Sequence, residues 1–314
     1  MAKAYSLSVE ESVALTRRIT TLSVATALVL SILKAGVWLA SGSVSVLASL
    51  ADSGLDLIAA FGTFAAVRYA AAPPDAEHRF GHGKAEAFAS LVQAGLVFAS
   101  AALIAQEAVR HFIEPHRLEH MDWGLAVMAA STVLTALLVA AQTRVLKRTR
   151  SVAVSGDRAH YVADIASNLA ALAAIGASAL FGIGGFDAAG GLVVAALLLW
   201  GAVSVFRQAS DELMDRELPD DARARIVALM TADRRLTGVH QLRTRAAGPT
   251  VHIQMHADLD PELSLETAHQ VVVAAEKRVL EAFPNADIII HADPRGRAEP
   301  HGGAFAEADA AAKV

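Results

Sequence analysis

Two apolar segments of the chain each carry a pair of ionisable residues one helical turn apart. Asp52 and Asp56 sit in SLADSGLDLI, and His160 and Asp164 in RAHYVADIAS. The i,i+4 spacing puts both members of a pair on one helix face, about 6 Å apart along the axis. With the two faces opposed, three carboxylates and one imidazole converge, an O/N donor set suited to a tetrahedral divalent ion such as zinc. The ion would supply the counter-charge that lets three carboxylates be buried together. A lone Asp near a helix end is commonly just solvated, but two independent pairs in apolar surroundings are costly and point to a site. Ser49, Ala51, Ser53, Gly54, Ala163, Ala166 and Ser167 leave room around the pairs for close helix approach or a water-filled cavity. Lys34, in the first apolar run, either snorkels or lines a cavity and receives no role from the sequence.

Two further groups could hold a metal. In PPDAEHRFGHGKAE, Asp75, His78 and His82 meet if the segment turns at Gly81 and Gly83; the alternative is a polar, solvated loop. Towards the C-terminus, His240, His252, His256, His269, His291 and Asp293 fall close together in sequence, and the even spacing of His252 and His256 lets both share one sheet face. His111, His116 and His120 read as solvated residues of an outer loop. The chain has no cysteine, which removes disulfides, thiolate nucleophiles and Cys-based zinc sites together. Any transition-metal site must be built from His, Asp and Glu.

The elements that position these residues follow from composition. Of 314 residues, 54% are hydrophobic and 19% charged, and the mean hydropathy is +0.42. The net charge of −5 leaves no basic surface for nucleic acid. The apolar excess lies in six runs, roughly 18–40, 44–67, 85–109, 122–143, 159–181 and 188–207, with no proline in any of them. Each is long enough to cross a hydrocarbon core as a helix. Basic residues gather at the N-terminus (Lys3, Arg17, Arg18), in 68–84 (Arg68, Arg79, Lys84) and in 144–158 (Arg144, Lys147, Arg148, Arg150, Arg158). The positive-inside rule therefore places both termini and these loops in the cytoplasm. The first run lacks a small-residue cleavage site and reads as a retained helix.

After residue 209 the pattern changes. Pro219-Asp220-Asp221 opens a short amphipathic helix, 239–245 and 250–259 alternate as strands, 262–283 is a helix, and 287–291 a short strand. The expected fold is an all-α six-helix transmembrane domain (1–208) and a small cytoplasmic α+β domain of α-β-β-α-β order (209–297). A tail rich in Ala and Gly, expected to be disordered, follows (298–314).

LADSGLDLI, DAEHRFGHGKAE, HYVADIASN and the stretch from VHQLRTR to IIHADP together resemble the cation diffusion facilitators, divalent-metal/proton antiporters, over roughly 15–295. The similarity is greatest to the bacterial zinc- and iron-efflux subgroup. It implies that Asp52, Asp56, His160 and Asp164 form an intramembrane transport site and that Asp75, His78 and His82 form a loop site. It further implies that His240, His256, His269, His291 and Asp293 hold two metal ions in the cytoplasmic domain, the Asp shared, whereas His252 matches no ligand. A metallochaperone-like cytoplasmic domain, a homodimer in the inner membrane, and zinc, ferrous iron or cadmium as cargo come with the resemblance. His160 stands where the manganese branch tends to have Asp, and imidazole favours those three ions. Between the fourth and fifth helices, RVLKRTRSVAVSGDRA has no His, so no metal-scavenging loop is expected. Two rivals are a membrane metal sensor without transport and a membrane-embedded metallohydrolase. The latter is disfavoured by four ligands already filling the site and by the lack of H-E-x-x-H.

Overall fold

The computed structural model describes residues 7–42, 44–113, 122–181 and 186–297. It divides into two compact units, Val13–Asp211 and a second assembled from Met1–Ser12 and Glu212–Val314. His116, His120 and the tail from 298 lie outside the described residues, as does the side chain of His111.

The first unit is built from six long helices: α1 (Val9–Ser41), α2 (Val44–Ala70), α3 (Ala85–Ile113), α4 (Asp122–Thr149), α5 (Val152–Phe181) and α6 (Phe186–Leu213). Five of them contain spans long and apolar enough to cross a membrane: Val9–Ala40, Ser49–Ala70, Ala85–Arg110, Ala126–Thr149 and Gly190–Leu213. Among the described residues α5 contributes no such span, and it carries Asp157, Arg158, His160 and Asp164 in its first half. The expected loop 144–158 is shorter than its charges suggest, because α4 runs to Thr149 and α5 starts at Val152. A capping box opens α1: Glu11 N–H donates to Ser8 Oγ at 3.2 Å and Ser8 N–H to Glu11 Oε2 at 3.1 Å.

This unit is apolar outside and polar inside. Ile58 and Trp200 are 70% and 75% exposed, whereas Thr20, Ser23, Ser90, Gln93, Gln142 and Asp157 are buried. Water would not tolerate that arrangement, but lipid demands it, since each polar group must find a partner within the bundle. α5 packs against α2, α3 and α4. Its approach to α3 depends on Gly156, where a Cβ would lie 2.9 Å from Ser90 Oγ and 3.1 Å from Ser90 Cα.

In the second unit α7 (Asp220–Met230), β1 (Leu236–Ala247), β2 (Thr250–Leu259), α8 (Leu265–Ala282) and β3 (Ala286–Pro294) follow the expected order. The sheet order is β1-β2-β3, with β1 antiparallel and β3 parallel to β2, so α8 is the crossover a parallel pair requires. β1 turns into β2 at Gly248, whose φ of 57° suits a tight hairpin. Val251, Ile253, Met255, Ala257 and Leu259 alternate on one face of β2 and pack with Ile226 and Met230 of α7 and Val271, Ala275 and Val279 of α8. The second helix was expected from 262 but begins at Leu265, because Ser264 Oγ accepts the Thr267 N–H and caps it. Arg278 ties the two helices by donating to the Leu229 and Met230 carbonyls at 3.0 and 3.3 Å.

Candidate metal centres

In the helical unit, one donor atom each from Asp56 on α2 and His160 and Asp164 on α5 lies within 4.8 Å of the others. His160 Nε2 is 3.0 Å from Asp56 Oδ1 and 3.9 Å from Asp164 Oδ2. The His160 side chain is only 10% exposed, with Asp56 at 24% and Asp164 at 33%. Asp52, one turn earlier on α2, is exposed and lies outside this group. A cavity of about 30 Å³ adjoins it, lined by Lys34, Ser53, Asp56, Thr135, Tyr161 and Asp164 among others, with room for about one ion or water. The donors are hard oxygens and one borderline nitrogen, a set that takes zinc or a neighbouring divalent ion.

The loop cluster is organised by Asp75. Its Oδ1 accepts the backbone N–H of His78 at 2.6 Å and of Glu77 at 2.9 Å, a turn that a short acidic side chain makes readily. His78 Nδ1 and His82 Nε2 approach the same carboxylate at 3.4 and 3.3 Å. The chain reverses at Gly81, with φ 80°, as the expected turn requires. The His78 amide, with that of Glu77, holds the exposed Asp75 carboxyl below its usual range. His82 is buried, and its Nδ1 makes no hydrogen bond.

The third cluster is a row across the sheet. Register pairs His240 with His256 and His256 with His291, so adjacent strands bring three imidazoles side by side. His256 and His291 stack with centroids 4.7 Å apart. Asp293 reaches all three: its Oδ2 is 2.8 Å from His256 Nδ1 and 3.3 Å from His240 Nε2, and its Oδ1 is 3.2 Å from His291 Nε2. A bulge after His240, with Gln241 at φ 49°, interrupts the pairing beside the cluster, which resumes at Arg243 opposite Gln254. His240 Nε2 is buried, and Asp293 Oδ2 at 3.3 Å is the carboxylate that faces it. His269, on α8, is exposed and lies outside the grouped donors. His252 shares the face of His256 as its spacing predicted, but it lies about 13 Å away along the strand and pairs instead with Asp287 at 3.1 Å.

Comparison with known proteins places this architecture. A family model described as the cation efflux transmembrane domain matches residues 20–214, and one described as the cation efflux protein cytoplasmic domain matches 218–295. The chain is 42% identical over 270 residues to the cation-efflux pump FieF of Pectobacterium carotovorum, covering 86% of this chain and 90% of that one. With the FieF of Shewanella oneidensis it shares 41% over 272 residues, 87% of this chain and 92% of that one. The chain belongs to the cation diffusion facilitator family. A solved zinc form of CzrB is 31% identical, spanning 28% of this chain and 100% of that one at a TM-score of 0.26.

As a cation diffusion facilitator the chain is a multi-pass membrane protein of divalent-cation efflux and not an enzyme. The hydrolase alternative therefore falls. Two residues of this facilitator escaped sequence reasoning. Asp157 seemed to belong to a basic loop, yet it is buried in α5, one turn before His160, and accepts from Ser23 Oγ at 2.7 Å and Gln142 Nε2 at 2.8 Å. Asp258 lies on the face of His256, with its Oδ2 3.6 Å from His240 Nδ1. The alternation in HIQMHAD carried that signal. Gly238 makes room for it, since a Cβ there would be 2.7 Å from Asp258 Oδ2.

Proposed function

We propose that this facilitator exports zinc from the cytoplasm in exchange for protons, with ferrous iron and cadmium as lesser cargo, through a site formed by Asp56, His160 and Asp164 with Asp52 as the fourth ligand. The convergence of Asp56, His160 and Asp164 inside an apolar bundle carries this reading. Metal binds when His160 is neutral and the carboxylates ionised, so loading releases protons and protonation expels metal. Competition for the same lone pairs is the least that coupling requires, and alternating access follows if the helices rock around the site. His160 favours zinc, cadmium or ferrous iron over manganese. All six helices span the inner membrane in this reading, with both termini and the loop cluster on the cytoplasmic side.

The remaining clusters take supporting roles. Asp75, His78 and His82 form a metal-binding loop at the cytoplasmic mouth. His240, His256, His269, His291 and Asp293 form a binuclear site that stabilises a homodimer. The donor set of His240, His256 and Asp293 fits zinc there. Bound zinc would add a crosslink between strands already joined by backbone pairing and by the Asp293 carboxylate.

Proteoliposomes loaded at acidic pH test the transport claim. Zinc uptake should accelerate with the outward proton gradient, exceed uptake of manganese, and fall at least about 100-fold in Asp164→Ala, since even outer-shell ligand partners are worth 10–100-fold. Unchanged zinc flux in that variant would overturn the assignment.

A further inference from the structure

Lys34 lies well inside α1, and its side chain is buried. Its Nζ donates to Ser53 Oγ at 2.6 Å and to the Ser49 carbonyl at 3.2 Å, both on α2. Among the described residues it forms no ion pair. An ammonium held by neutral oxygens at membrane depth is expensive, and such groups are kept where a charge is needed. The need is visible nearby. Lys34 lines the same cavity as Asp56 and Asp164.

We propose that Lys34 is the resident counter-charge of the transport site, setting the charge of the loaded cavity and limiting how tightly it holds metal. This rests on reading Asp52, Asp56, His160 and Asp164 as that site. Three ionised carboxylates carry three negative charges. Lys34 and one divalent ion carry three positive ones, with His160 neutral. The loaded cavity is then electroneutral, the state that costs least to carry through a rearrangement in a low-dielectric interior. Without Lys34 the loaded cavity keeps one net negative charge, and the ion sits in a deeper well. Lys34 thus gives up affinity in return for release. Among the described residues no hydrogen bond or ion pair joins it to Asp52, Asp56, His160 or Asp164, so it acts through its field and not as a ligand.

The test uses the full-length protein in detergent, in a His82→Ala, Asp293→Ala background that leaves only the transport site to read. Zinc affinity is measured by competition with a chromophoric chelator. Lys34→Gln, which keeps a donor for Ser53 but removes the charge, should bind zinc at least about tenfold more tightly and turn over more slowly in proteoliposomes. Lys34→Arg should stay within about threefold of the parent. Should the Gln variant not fold, Lys34→Met removes the same charge and carries the same expectation. Unchanged or weaker affinity in the charge-removing variants, or an equal gain in Lys34→Arg, overturns the proposal. Asp164→Ala in the same background separates this from failure of the site itself: retained zinc binding there would remove the transport site, whereas lost binding leaves the Lys34 result decisive.

Discussion

Asp293 touches three imidazoles, and Asp75 touches two imidazoles and two backbone amides, so a single carboxylate organises each cluster outside the bundle. For Asp75 the consequence is a pH dependence of known sign. A carboxyl held below its ordinary 3.8 stabilises the turn above that value, and the contribution is lost as pH falls through the lowered one. Protection of the His78 amide, its exchange relative to the intrinsic rate at the same pH, should therefore persist through mild acid and be lost only on further acidification. In Asp75→Ala that protection should be absent at every pH, as hydrogen-exchange mass spectrometry would show. At the sheet cluster, Asp258 Oδ2 stands 3.6 Å from His240 Nδ1, near enough for its charge to support that imidazole if the proposed zinc is bound. Asp258→Asn should weaken zinc binding at that cluster about 10–100-fold, read by calorimetry in an Asp164→Ala background. No change would mean that Asp258 only fills space. The i,i+4 pairs were legible from sequence because helical period is fixed. The separation of His252 from His256 was not, because one shared face says nothing about reach along a strand.

At the scale of elements, α5 is where the bundle is specified. Gly156 lets it meet α3 at Ser90, and Asp157 gathers Ser23 of α1 and Gln142 of α4 around one buried carboxylate, with Gln93 of α3 at 3.5 Å. Asp157→Ala strands those donors and should cost about 3 kcal/mol, a charged hydrogen-bond network lost together with its desolvation penalty. Ser23→Ala should cost about 1 kcal/mol. Melting temperatures in detergent would order the two variants, and equal melting would argue against a hub at Asp157. Element existence was legible because apolar runs and strand alternation are strong signals. The place where α5 begins was not, since Asp157 and Arg158 look like loop charges until the polar interior that receives Asp157 is known. Strand register was hidden too: His240 meets His256 only because a bulge follows it.

For the whole molecule, polarity runs opposite to that of a soluble protein in the bundle and in the ordinary direction in the C-terminal unit. Composition averaged over 314 residues conceals that split, whereas position along the chain reveals it. The proposed dimer belongs at this scale. A His240→Ala, Asp293→Ala double variant should dissociate at higher protein concentration than the parent when zinc is present, by light scattering, and chelation should bring the parent to the same behaviour. Identical masses throughout would leave the C-terminal cluster without a part in assembly.

The row of imidazoles occupies the sheet face opposite the packed core, and Val251, Ile253, Met255 and Ala257 would keep their neighbours whatever stood at 252, 254, 256 or 258. Folding and the proposed coordination thus draw on alternate residues of a single strand. A lineage, or an engineer, could exchange the metal preference of this surface by substitution without first finding a new way to fold it.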